Sequence, residues 1–126
     1  MIIVDTDVLI EIFDKGSSKG DEALERILES GESIAITSIN LHEILYGLYK
    51  YAKPVEEVVQ LPVLDYTKKD AALAARIELD AEGKGVTIRR TDAMIAAITI
   101  NSGASLYTLD LKHFEPLGGF GLRLFS

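Results

Sequence analysis

Four carboxylates stand where apolar runs begin or end. Asp5 closes Ile2-Ile3-Val4, and Glu43 lies just past Ile34-Ala35-Ile36. Asp92 opens the run from Ala93 to Ile98, and Asp110 closes Leu106-Tyr107-Thr108-Leu109. Each falls at a strand edge or near a helix start. In an α/β fold the carboxyl ends of parallel strands converge on one crevice. Four acids meeting there would repel one another unless a divalent cation held them. Oxygen-only ligands, with no Cys and no paired His, suit Mg²⁺ or Mn²⁺ rather than zinc. The chemistry such a site supports is hydrolysis with metal-activated water.

Taken singly, each acid has a structural explanation. Asp7 and Asp92 read as helix N-caps, a role worth about 0.5–2 kcal/mol. Glu43 lies off the Leu41/Ile44/Leu45/Leu48 stripe and reads as a surface glutamate, and Asp110 reads as the start of a turn. Asp5 resists this treatment. It directly follows a buried strand, where an unpaired carboxylate costs several kcal/mol. The conjunction favours ligands, because Asp5, Asp92 and Asp110 are placed on one sheet edge by independent element boundaries.

The positioning elements follow from apolar periodicity. Strands are expected at Ile2–Val4, Ser33–Thr37, Val63–Tyr66, Ser105–Leu109 and, as an edge, Gly121–Phe125. Helices are expected at Val8–Phe13 after Asp7, Asp21–Ser30 after a Gly16–Gly20 loop, and from a Thr37-Ser38 cap to about Ala52. Further helices fall at Val55–Gln60, from a Thr67 cap to about Glu82, and from a Thr91-Asp92 cap to Gly103. In the Thr67 helix, Ala71, Ala74, Ala75, Ile77 and Leu79 are expected to face inward. The helix after Asp92 is apolar on nearly every side and belongs at the centre. Strands alternate with helices throughout, so the expected fold is α/β, a mostly parallel sheet covered on both faces.

The 126 residues suit one domain, residues 1–126, and the 48% hydrophobic content gives it a sizeable core. The absence of cysteine excludes disulfides and thiolate metal sites and fits a reducing cytoplasm. Asp5 and Asp7 interrupt the first apolar run, so no signal peptide is expected, and no run is long enough to span a membrane. A net charge of −7 argues against a broad nucleic-acid-binding face. That objection weakens if several acids hold cations, which invert the local field. Lys68, Lys69, Arg89, Arg90 and Lys112 fall beside the acids or open nearby helices. His42-Glu43 opens a His-Glu-x-x-His zinc motif that fails at Tyr46. Tyr46, Tyr49 and Tyr51 are expected to pack in the core, with an interface as the second role.

Segments Ile2–Ile10, Thr37–Leu48, Thr91–Ala97 and Leu106–Phe114, closed by Gly119-Phe120-Gly121-Leu122, resemble the PIN-domain ribonucleases. Within them they resemble the VapC-type toxins of prokaryotic toxin–antitoxin pairs. The likeness runs in order over essentially the whole chain. It implies a three-layer α/β/α domain with about five strands, and an acidic centre at Asp5, Glu43, Asp92 and Asp110. Thr6 and Thr108 would orient ligands or water from behind. The fourth acidic position varies in the family and is often Asn. The resemblance implies an endoribonuclease using Mg²⁺ or Mn²⁺, with RNA as substrate, an antitoxin protein as partner and a homodimeric assembly. Arg89, Arg90 and Lys112 are candidates for phosphate contacts, with surface solubility as the equal alternative.

Three other readings compete. Asp5-Thr6-Asp7-Val8-Leu9 also resembles the opening of haloacid-dehalogenase phosphatases, with Asp5 as nucleophile, but no well-placed downstream lysine follows. A receiver-type signalling module would need Asp65 as its phospho-acceptor. A degenerate, non-catalytic member of the fold would not keep the acid set intact.

Overall fold

A computed structural model describes residues 1–126. Five short strands, β1 (Ile2–Val4), β2 (Ile34–Thr37), β3 (Val63–Leu64), β4 (Ser105–Tyr107) and β5 (Arg123–Leu124), form one sheet in the order β3-β2-β1-β4-β5. Every pairing is parallel. The apolar N-terminal run therefore becomes the central strand, with Ile3 paired to Ala35 on one side and Leu106 on the other.

Side-chain alternation along the strands divides the core in two. Ile3, Ala35 and Leu106 face a layer that includes Ala74 and Ile77 of α5 (Lys68–Gly83) and Ile95 and Ala96 of α6 (Arg90–Asn101). Ile2, Val4, Ile36 and Tyr107 face the opposite layer. That layer is built from α1 (Thr6–Leu9), α2 (Ser18–Ser30), α3 (Ser38–Lys50) and the short α4 (Glu56–Val59). The result is the expected α/β/α arrangement. The run after Asp92 is the central helix: residues 92, 93 and 95 to 99 are all buried.

Thr37 and Thr67 cap α3 and α5, each in a reciprocal capping box, with Asn40 and Asp70 as partners. Other boundaries differ from the sequence reading. The first helix starts at Thr6, directly after β1, and its cap is Asp5 rather than Asp7. It continues as a π-helical turn, Ile10–Asp14. The central helix starts at Arg90 with Arg89 at the cap position, so Asp92 is its third residue and caps nothing. The expected Gly16–Gly20 loop is mostly helix, because the Ser17 hydroxyl accepts from the Gly20 amide and starts α2 early. The tail of the chain forms α7 (Leu111–Phe114) and a 3₁₀ segment over Glu115–Phe120, where a turn and a loop were expected.

Two packing expectations fail. Ala75 is exposed and Leu79 is 70% exposed, and Tyr46, Tyr49 and Tyr51 are 64%, 64% and 62% exposed. Leu79 lies two residues beyond buried Ile77, and the first two tyrosines lie off the buried Ile44–Leu48 stripe. Two-residue spacing on a helix points to the opposite side.

Gly20 marks where α2 presses on the π-helical turn. A Cβ there would stand 2.3 Å from the Glu11 carbonyl oxygen and 2.9 Å from the Ile12 Cα. Both are backbone atoms that no rotamer change can move. Gly20→Ala should destabilise the protein by about 1–3 kcal/mol or more, read as a lowered midpoint in urea unfolding.

Candidate active site

Asp5 leaves the carboxyl end of the central strand and is 6% exposed. One carboxylate oxygen accepts from the Thr6 amide at 2.8 Å and from Asn40 Nδ2 at 3.2 Å. The other accepts from the Thr108 hydroxyl at 2.7 Å. Each donor comes from a different element exit: Thr6 after β1, Asn40 in the first turn of α3 and Thr108 just past β4. The parallel register delivers them, since Val4 pairs with Tyr107 and the Asp5 amide donates to the Tyr107 carbonyl at 2.9 Å.

Asn40 links this hub to the next acid. It is fully buried, and its side-chain oxygen accepts from the Thr37 amide and hydroxyl. Its amide nitrogen donates to Asp5 and, at 3.0 Å, to the Thr6 hydroxyl. The Thr6 hydroxyl in turn donates a hydrogen bond to Glu43 Oε1 at 2.7 Å. Glu43 is thus a held residue on the crevice wall rather than a surface glutamate. Asp7 sits in the first turn of α1 and accepts from the Leu109 amide at 3.1 Å, which ties down the β4 exit. Asp110 takes His113 Nδ1 on both oxygens at 2.8 Å. Asp92, its side chain 4% exposed, is forked by Arg89: Nε to Oδ2 at 3.0 Å and Nη2 to Oδ1 at 3.3 Å.

Asp5, Asp7, Glu43, Asp92 and Asp110 all line one crevice of about 760 Å³, with Thr6, Ser38, His42, Tyr46 and Arg89 among the other walls. The four acids singled out in the sequence are therefore brought together. Thr6 bonds to Glu43, and Thr108 to Asp5, as hydroxyls set behind the acids would. Among the basic candidates only Arg89 lines the crevice. Arg90 forks onto Glu78 elsewhere, at 3.0 and 3.1 Å. Lys112 lies exposed on α7, outside the lining. Asp65, which a receiver-type site needs, follows the two-residue strand β3 and lines a different pocket.

The electrostatics are those of a crowded anionic site. Burial pushes the Asp5 carboxyl up to about 7, and the charge of Asp7 adds to the rise. Hydrogen bonds from Thr108 and Thr6 pull the other way and do not cancel it. Asp7 is raised as well, first by burial, against amide hydrogen bonds from Leu109 and Val8. As the side chains stand, no three His, Asp or Glu residues are close enough to ligate one ion. Each outer acid is engaged elsewhere: Glu43 by Thr6, Asp92 by Arg89, Asp110 by His113. The donor chemistry nonetheless fits Mg²⁺ or Mn²⁺. The acids contribute oxygen only, and buried Asp5 is destabilised as an anion for want of a positive partner.

The family model described as PIN domain matches residues 2–117, and the chain belongs to that family. It is 28% identical over 122 residues to Ribonuclease VapC2 of Rickettsia felis, covering 91% of this chain and 90% of that protein. It is also 28% identical over 113 residues to the tRNA(fMet)-specific endonuclease VapC of Salmonella typhimurium, covering 84% and 86%. Among solved structures, VapBC2 from Rickettsia felis bound to a promoter DNA fragment superposes with a TM-score of 0.82 at 27% identity. That match covers 99% of this chain and 98% of that one. The phosphatase and receiver readings find no support in these relationships.

A raised carboxyl pKa has a definite sign in stability. Between the ordinary value of 3.8 and about 7, native Asp5 holds a proton that the unfolded chain has released. Metal-free protein should therefore lose stability as pH rises through that window. Asp5→Asn keeps the acceptor for Thr6 and Asn40 and can donate to the Thr108 hydroxyl. In metal-free buffer this variant should melt above wild type at pH 8, and the gap should narrow as pH falls toward 4. Thermal melts of both proteins across that range check it.

Proposed function

We propose that this chain is a divalent-metal-dependent endoribonuclease of VapC type, the toxin of a toxin–antitoxin pair. The observation that carries the reading is the buried Asp5 hub, with Glu43, Asp92 and Asp110 on the walls of the same crevice. Relatives named ribonuclease VapC, similar over nine-tenths of their length, support the choice of RNA phosphodiester as substrate.

Asp5, Glu43, Asp92 and Asp110 are the residues that would hold one or two Mg²⁺ or Mn²⁺ ions. When bound, such an ion supplies Lewis acidity and a water of lowered pKa for hydrolysis of the phosphodiester. The protein's own part is orientation. Thr108 and Asn40 fix both oxygens of Asp5, and Thr6 fixes one oxygen of Glu43, so these carboxylates present defined lone pairs to the crevice. Arg89, the one Lys or Arg side chain on the crevice wall, is the candidate for a phosphate contact. Arg90, forked onto Glu78, and exposed Lys112 lie outside the crevice lining.

Solved complexes of similar chains with their antitoxins support a small antitoxin protein as partner. A homodimer belongs to the same reading, and exposed Tyr49 and Tyr51 offer the aromatic area that interfaces favour. No helix is long and apolar enough to cross a membrane. With RNA as substrate, the activity belongs in the cytoplasm.

Purified wild-type chain should cleave total RNA in Mg²⁺ or Mn²⁺ and stop in EDTA. Asp5→Asn, though folded, should show only background cleavage. Cleavage by wild type that persists in EDTA, or by Asp5→Asn at the wild-type rate, would refute the metal site. Induced expression of the lone wild-type chain should also arrest bacterial growth, and Asp5→Asn should not. Growth curves of the two strains decide the toxin role separately from the nuclease.

A further inference from the structure

Arg89 is oddly placed for a helix cap. It occupies the N-cap of α6, makes no side-chain capping bond and brings a positive charge to the positive end of the helix. Ser, Thr, Asp and Asn are the residues that stabilise this position. What Arg89 gains lies in the crevice, where it is the one Lys or Arg side chain among five carboxylates. It forks both oxygens of Asp92, and Glu43 and Asp110 add to the field that holds it charged. The pair is asymmetric. The Asp92 side chain is 4% exposed and that of Arg89 71%. The guanidinium can leave into water at little cost, whereas the carboxylate left behind is buried and needs another cation.

We propose that Arg89 is a displaceable counter-ion: it holds Asp92 in the metal-free protein and competes with the divalent cation for that carboxylate. This rests on the metal-dependent reading of the crevice. Arg89 must open its fork before Asp92 can serve as a ligand, so the residue sets how tightly the site takes its ion. It accounts for one part of why the acids line one crevice yet do not form a ready ion-binding group: Asp92 is held by Arg89, as Glu43 is by Thr6 and Asp110 by His113. With Asp92 turned to Arg89, the set is incomplete. The same fork screens Asp92 from the other acids and so supports the fold when no ion is bound.

Mn²⁺ binding is the test, measured by calorimetry on wild type, Arg89→Gln, Arg89→Lys and Asp92→Asn, alongside melting of each in EDTA. Arg89→Gln should bind Mn²⁺ about tenfold more tightly, the scale of one exposed charge-assisted fork. It should also melt lower than wild type in EDTA and regain that loss in Mn²⁺. Arg89→Lys, a point charge without the fork, should fall between the two. Unchanged or weaker Mn²⁺ affinity in a folded Arg89→Gln overturns the proposal and leaves the pair an ordinary surface bridge. If wild type binds no Mn²⁺, or binds it as well when Asp92 is replaced by Asn, the metal reading of the crevice itself fails. These outcomes are distinguishable because the first compares variants that all bind the ion and the second asks whether the ion binds at all.

Discussion

A buried carboxylate at the end of the central strand is the constraint around which this molecule is arranged. Asp5 is nearly inaccessible, yet every group that touches it is neutral: an amide, an asparagine and a threonine hydroxyl. Neutral donors orient a carboxylate without cancelling its charge. A lysine or arginine in the place of Asn40 would have neutralised Asp5. The fold instead tolerates a carboxyl raised to about 7. Stability withheld at such a point is the usual cost of keeping a site ready for its ligand.

The same constraint explains how an acidic chain can act on a polyanion. A formal charge of −7 is unfavourable for RNA only while the acids in the crevice are uncompensated. Five of the chain's twenty acidic residues line that crevice. In the proposed reading a bound divalent ion offsets part of that charge where the phosphate must sit and leaves the potential negative elsewhere. Attraction would then be local, and surface lysines such as Lys112 would contribute little to it.

The sheet and the central helix were legible because their signals are apolar and contiguous. Ile2-Ile3-Val4 and the run after Asp92 have no alternative to burial. The acids were legible because they interrupt those runs. Less visible were the residues that hold the acids. Asn40 reads in sequence as one polar position in a helix, and its partner Asp5 is 35 residues away. The Thr37-x-x-Asn40 spacing was a capping-box signal that could have marked it as buried. Caps were misplaced where the best capping residue was not used: Arg89 stands where Thr91 or Asp92 was expected, because Asp92 is committed to the crevice. The tyrosines of α3 illustrate another limit. Aromatic character suggests a core, and only the phase of the helix decides which side faces it.

No single segment of this chain carries a site. The four acids arise from four separate stretches, and their meeting depends on strand register. Because Ile3 pairs with Leu106 and Val4 with Tyr107, the residue delivered beside Asp5 is Thr108, at hydrogen-bonding distance. A slip of one residue would bring Tyr107 or Leu109 there instead and turn the inward face of a strand toward the wrong layer. The two cores prevent that slip, since Ile2 and Val4 pack on one side and Ile3 on the other with almost no exposure. The hydrophobic effect thus enforces, through register, the position of the buried Asp5 carboxyl.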